Sequence, residues 1–265
     1  MRSALVTVSS DEFIEGTVVL FHSFIENNKW FKGDFIVING GLSDVNIHEL
    51  KNEFKCYIVN PSVYLSEKIE QLIECIPAYF RTQKRFYSLE VFNIRGYDKL
   101  LFLDSDIVCL RNVETLFKLS DALLACPDQR FFQNFVRDRT TLLPIPRSAI
   151  KSFENKKYIE KFFNTGMFFI NKSIMEDDFF NRLISALIPE NYQFIKTGHT
   201  DTVVLNKILL EQVNWLPIEY NYYTSLPTDE KISPYFVHFI GKDKPWKRET
   251  NRENYWVKKW LSYYD

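Results

Sequence analysis

Asp104 and Asp106 stand one residue apart, directly after the apolar run Leu100-Leu101-Phe102-Leu103. That run is too short and too uniformly apolar for an amphipathic helix, and it reads as a fully buried strand. The carboxyl ends of such strands are where open α/β sheets bind ligands. On an extended backbone, residues two apart point to the same side, so the two carboxylates repel each other unless a cation lies between them. A hard divalent ion with oxygen ligands answers that need. The chemistry to expect is Mn²⁺ or Mg²⁺ beside a phosphate-bearing substrate.

The elements that would position this pair alternate. Ala4–Val8 reads as a strand, with Ser9, Ser10 and Asp11 as turn and cap residues. A helix to about Asn28 follows, carrying Phe13, Val18, Phe21, Phe24 and Ile25 on its apolar side. Strands are expected at Phe35–Ile38, Cys56–Val59, Leu123–Cys126, Gly166–Ile170 and Tyr235–Ile240. Helices are expected at Val45–Glu53, Arg81–Ile94, Val113–Leu119, Ser173–Leu187 and Thr200–Leu210. Strand–helix alternation of this kind builds a doubly wound α/β sheet. The segment Phe131–Lys161 is irregular, is broken by Pro144 and Pro146, and reads as a lid-like insertion.

The 265 residues suit one large domain. It would comprise a first half over about 1–110 ending in the acidic pair, a second over about 111–246 containing the insertion, and a tail from 247. Net charge is −1 with no long basic run, which argues against nucleic acid as a partner. The four cysteines contain no Cys-x-x-Cys, so a zinc site is not expected and reduced thiols are. The N-terminus is too short and too β-branched for a signal peptide, and no apolar run is long enough to span a membrane. A cytoplasmic protein is expected, with its aromatic C-terminal tail able to touch a membrane surface.

Five motifs, in order, then make a resemblance specific. They are Val6-Thr7-Val8-Ser9-Ser10-Asp11, Tyr97 through Asp106, Phe163-Asn164-Thr165-Gly166, Thr200 through Asn206, and His238-Phe239-Ile240-Gly241-Lys242-Asp243-Lys244-Pro245-Trp246. Across nearly the whole chain they resemble glycosyltransferase family 8, the glycogenin-like and lipopolysaccharide galactosyltransferase-like enzymes. The resemblance implies a single GT-A, Rossmann-like domain with a mixed, mostly parallel central sheet flanked by helices. It implies a retaining hexosyltransferase that uses a UDP-sugar and Mn²⁺, with Mg²⁺ as the substitute ion.

Carried over by position, Asp104, Asp106 and His238 hold the metal, and Ser105 lies within the same nucleotide-binding motif. Val8 and Ser10 sit against uracil, Gly241 and Lys244 contact the diphosphate, and Asn164, Thr165, Asp201 and Thr202 belong to the donor-sugar site. Asp201, Asn164 and Lys244 are the catalytic candidates. The residue chemistry agrees. Two carboxylates and an imidazole are an acceptable Mn²⁺ set, Lys244 would neutralise charge on departing UDP, and an aspartate near the sugar can stabilise oxocarbenium charge. The acceptor is a glycan, a lipid-linked sugar or a protein. A homodimer is compatible with the sequence.

Several positions depart from the family pattern. A basic residue is expected near Ser88, and the nearest here are Arg85 and Lys84. The glutamine that follows the late-helix aspartate is Thr202. The self-modified tyrosine of glycogenin has only Tyr222 and Tyr223 nearby. Leu103 through Val108 also fits the Asp-x-Asp signature of haloacid dehalogenase-like phosphatases, although that motif normally opens a chain and Asp177-Asp178 is a poor second metal motif. A non-catalytic UDP-sugar-binding protein is the other alternative.

Overall fold

The computed structural model describes residues 1–128, 162–175, 178–192, 198–225 and 232–264. The expected lid at 131–161 and the residue Asp177 lie outside the described residues.

In chain order, β1 (Ser3–Ser9) leads through a short 3-10 turn, Asp11–Phe13, into α1 (Ile14–Asn27). Then come β2 (Asp34–Asn39), α2 (Asp44–Phe54), β3 (Tyr57–Val59) and α3 (Val63–Cys75). A 3-10 helix, Pro77–Asn93, precedes β4 (Lys99–Leu103) and β5 (Ile107–Cys109). Next are β6 (Leu123–Pro127), β7 (Phe163–Asn171) and α4 (Phe179–Ser185). The remainder is α5 (Asp201–Leu209), β8 (Val213–Trp215), β9 (Tyr222–Tyr223), β10 (Phe236–His238) and α6 (Tyr255–Leu261).

These elements form two compact units that are discontinuous in sequence. The first comprises residues 1–60, 97–120 and 217–265, and the second 61–96 and 121–216. In the first, the order β3-β2-β1-β4 is entirely parallel. Ala4, Leu5, Val6 and the whole of Leu100–Leu103 are fully buried, as parallel strands covered on both faces require. A three-stranded sheet, β5-β10-β9, also belongs to this unit, with β10 in the centre. Val19 of α1, Val108, Val237, Phe239, Tyr222, Trp256, Val257 and Trp260 form one buried cluster around that small sheet. The C-terminal helix therefore braces β10; only Tyr255, Lys258 and Lys259 among its larger side chains are exposed.

In the second unit, β6 pairs antiparallel with β7 and parallel with β8, with an irregularity between Ala125 and Pro127. Helix α3 is unforeseen by the sequence reading. Its N-cap Ser62 accepts from the Leu65 amide, and Ser62 donates through its own amide and hydroxyl to the buried Glu90 carboxylate at 3.0 Å each. The expected helix Arg81–Ile94 starts earlier and winds as 3-10. In that winding, residues three apart eclipse one another, which brings Arg85 and Ser88 to the same side. The expected helix Ser173–Leu187 shortens to α4. No helix among the described residues is long and apolar enough to cross a membrane.

Candidate active site

The acidic pair does not lie on extended backbone. Asp104 and Asp106 flank a tight turn closed by the Ile107 amide on the Asp104 carbonyl at 3.1 Å. The chain must turn here because β4 ends at Leu103 and β5 belongs to the other sheet. The turn gives the two carboxylates different surroundings. The Asp104 side chain is 43% exposed and that of Asp106 only 9%. Gly16 of α1 makes room for the turn. A Cβ at Gly16 would lie 2.4 Å from the Ser105 carbonyl oxygen and 2.8 Å from the Trp246 ring.

Strand β10 delivers the third group. His238 pairs with Ile107 on one side and Tyr223 on the other, and the Phe239 amide donates to the Asp106 carbonyl at 3.0 Å. Nε2 of His238 lies 3.2 Å from Asp106 Oδ1 and 3.6 Å from Asp104 Oδ2. Nδ1 lies 2.9 Å from Asn221 Oδ1. With Nδ1–H donating to Asn221, the neutral imidazole turns the lone pair of Nε2 toward the two carboxylates. Three electron-pair donors then face one another, and a shared cation fits between them. All three ligand atoms lie within 4.8 Å of one another.

Lys244 supplies the fourth group. Its ammonium is buried, donates to the Phe239 carbonyl at 2.7 Å and pairs with Asp106 Oδ2. Burial by itself opposes ionisation of Asp106, but the adjoining Lys244 ammonium, with His238 beside it, outweighs that cost and holds the carboxyl well below the usual range. Gly241 adopts φ +96°, a conformation that glycine takes at no steric cost. Trp246 clips this loop to the start of α1: its indole N–H donates to the Glu12 carbonyl at 3.1 Å and its ring meets Phe13 edge-on. Val8 and Ser10 stand at the carboxyl end of β1. Ser10 is buried but makes no side-chain cap bond.

In the second unit, Asp201 opens α5 and is buried. Its Oδ2 accepts from Ser88 Oγ at 2.9 Å and its Oδ1 from Thr200 Oγ1 at 2.9 Å. Thr165 and Thr202 share a hydroxyl–hydroxyl bond of 2.9 Å, and Asn164 Oδ1 accepts from the Gly166 amide at 3.0 Å. Arg85 is exposed and gives one nitrogen to the Gly198 carbonyl at 3.1 Å, so that nitrogen steadies the loop ahead of Asp201. Tyr222 and Tyr223 are both buried, which leaves neither hydroxyl accessible as an acceptor. Three contributors escaped the sequence reading: Asn221, Gly16 and Ser88 as a partner of Asp201. No spacing rule flags them, because each acts on a residue distant in sequence.

The fold and site define an α/β protein in which two carboxylates after the parallel strand β4 meet a histidine at the end of β10. The chain belongs to glycosyl transferase family 8, whose model matches residues 4–250. It is 26% identical over 261 residues to a lipopolysaccharide 1,2-glucosyltransferase of Escherichia coli, covering 89% of this chain and 70% of that protein. It is 25% identical over 202 residues to a lipopolysaccharide 1,3-galactosyltransferase of Salmonella typhimurium, covering 72% and 57%. Among solved structures, the galactosyltransferase LgtC, in complex with donor and acceptor sugar analogues, superposes with a TM-score of 0.71 at 16% identity, covering 98% of this chain and 95% of that one. The fold is thus the mixed, mostly parallel α/β GT-A fold that the resemblance implied, and the protein is a glycosyltransferase.

Proposed function

We propose that this glycosyltransferase moves a hexose from a UDP-sugar to a hydroxyl of a saccharide acceptor, with retention at the anomeric carbon. The observation that carries the reading is the convergence of Asp104 Oδ2, Asp106 Oδ1 and His238 Nε2, with Lys244 on the far oxygen of Asp106. Mn²⁺, or Mg²⁺ in its place, would be held by Asp104, Asp106 and His238. When bound it supplies Lewis-acid neutralisation of the diphosphate.

The chain's own residues do the rest. Val8 and Ser10, at the end of β1, receive the uracil. The backbone at Gly241 approaches a phosphate closely, and Lys244 balances the charge that grows on UDP as it departs. In the transfer step the acceptor oxygen bonds to the anomeric carbon while the bond from that carbon to the β-phosphate oxygen breaks. The electron pair leaves with UDP, and a phosphate oxygen takes the acceptor's proton. Asp201 carries negative charge for the oxocarbenium-like carbon, and Asn164, Thr165 and Thr202 orient sugar hydroxyls.

Curated relatives are named for glucosyl and galactosyl transfer to lipopolysaccharide, which supports a hexose donor and a lipid-linked saccharide acceptor. The exposed Tyr255, Lys258 and Lys259 of α6 suit an anionic lipid surface. Four free cysteines suit a reducing, cytoplasmic setting.

The test is hydrolysis of UDP-glucose, UDP-galactose, UDP-N-acetylglucosamine, UDP-N-acetylgalactosamine and UDP-glucuronate with Mn²⁺ present. The reading expects UDP release from one of the two hexose donors, abolished by chelation. Release from none of the five, together with hydrolysis of an aryl phosphate, would overturn it.

A further inference from the structure

The carboxylate of Asp201 is gripped from both sides by neutral hydroxyls. Ser88 Oγ reaches Oδ2 and Thr200 Oγ1 reaches Oδ1, each at 2.9 Å. Ser88 is 3% exposed, Thr200 1% and Asp201 7%, so water does not substitute for either donor. Ser88 has a second acceptor, the Arg85 carbonyl at 3.1 Å, but a hydroxyl carries one hydrogen and the carboxylate is the stronger acceptor.

Thr200 is the N-cap residue of α5, yet its hydroxyl makes no bond to the helix backbone. Threonine at this position ordinarily accepts from a first-turn amide; here it accepts no such bond, and its hydroxyl donates to Asp201. Thr200 is itself anchored, because its carbonyl accepts from the buried Tyr192 hydroxyl at 3.0 Å. Tyr192 packs against Tyr79 and Phe86. The 3-10 winding of Pro77–Asn93 matters as well, since it turns Ser88 to the same side as Arg85 three residues earlier, and these two meet Asp201 and Gly198 respectively.

Two donors on two different oxygens fix both side-chain torsions of an aspartate. Both donors are uncharged hydroxyls, so neither position sets a cation against the carboxylate. We propose that Ser88 and Thr200 are positioning residues for Asp201, holding its carboxylate in one orientation toward the sugar carbon during transfer. This rests on the role given to Asp201 above.

The experiment compares Ser88→Ala, Thr200→Val and Thr200→Ser with the unaltered chain, using Mn²⁺ and whichever of UDP-glucose or UDP-galactose it hydrolyses faster. Thr200→Val keeps the shape and loses the hydroxyl; Thr200→Ser keeps the hydroxyl and loses the methyl. The expected result is a fall in kcat of about 10-fold for Ser88→Ala and for Thr200→Val. The KM for donor and the affinity for UDP should stay within about twofold, and Thr200→Ser should keep at least about half the activity. Thermal melting and circular dichroism establish that each variant is folded. A merely structural role would reverse the Thr200 pair or move KM and melting temperature together with kcat, and would overturn the proposal. So would a kcat within twofold of the original in both hydroxyl-deleted variants. An unaltered chain that binds UDP with Mn²⁺ but hydrolyses neither donor would remove the enzyme reading beneath it, a failure recognisable before any variant is made.

Discussion

Asn221 Oδ1 receives the Nδ1 hydrogen of His238 at 2.9 Å, from a side chain that is fully buried. That bond fixes which ring nitrogen faces Asp104 and Asp106. Without it the imidazole can adopt the other tautomer or rotate away. Removing such an outer partner typically costs a metal site about 10- to 100-fold in affinity. Asn221→Ala is therefore expected to weaken Mn²⁺ binding in the presence of UDP by that factor, and Asn221→Asp, which keeps the acceptor, to bind far better than the alanine variant. Titration calorimetry reads both. Equal affinity in the alanine variant and the unaltered chain would separate His238 from the metal.

The Lys244–Asp106 pair makes a pH-dependent contribution whose sign is fixed. Burial works against the Asp106 charge, and Lys244 with His238 overcomes it, so the folded carboxyl titrates below its unfolded value near about 3.9. The stabilisation is then present above about pH 4 and is lost as pH falls below it toward the folded value. Lys244→Met leaves a buried, uncompensated carboxylate and is expected to cost about 3 kcal/mol at neutral pH. The gap between the two proteins should narrow as urea melts are taken from pH 6 to pH 3. A gap that stays constant with pH would mean that Lys244 acts by packing alone.

Gly16 lies inside α1, where alanine ordinarily stabilises by up to about 1 kcal/mol. Here an added Cβ meets the Ser105 carbonyl and Trp246 well inside contact distance. Gly16→Ala is expected to destabilise by about 1–3 kcal/mol and to weaken metal binding, because the Asp-Ser-Asp turn must move. A variant with higher melting temperature and unchanged Mn²⁺ affinity would contradict the packing described.

The cysteines give a check that is independent of catalysis. Cys75 is exposed, whereas Cys56, Cys109 and Cys126 are buried. Burial raises the Cys56 thiol to about 11 and that of Cys109 to about 12, so neither supplies much thiolate at neutral pH. An aromatic disulfide reagent should titrate one thiol quickly in the native protein and four in denaturant. Two or more fast native thiols would be inconsistent with this core.

Much of this architecture is readable from local pattern. The strand at Leu100–Leu103 and the helix after Ser10 follow from apolar runs, and the meeting of His238 and Lys244 with Asp106 follows the family resemblance. What escapes is set by long-range contact. Helix α3, Val63–Cys75, is an exception: its N-cap Ser62 and the spacing of Leu65, Ile69 and Leu72 form a readable local pattern that the sequence reading passed over. The acidic pair was expected on extended backbone, but the demand that β5 join a second sheet bends it into a turn. Ser88 looked like a missing cation until its hydroxyl was found on Asp201, 113 residues away.

The central claim is that Asp104, Asp106 and His238 form a metal-assisted UDP site. Thermal melting with UDP, with and without Mn²⁺, addresses it directly. At a hundred times its dissociation constant, a ligand that binds only the folded state stabilises by about 2.7 kcal/mol. The account predicts a clear upward shift with UDP and Mn²⁺ together, little with UDP alone, and none in Asp106→Asn. An equal shift with and without Mn²⁺, or one that Asp106→Asn retains, would contradict it.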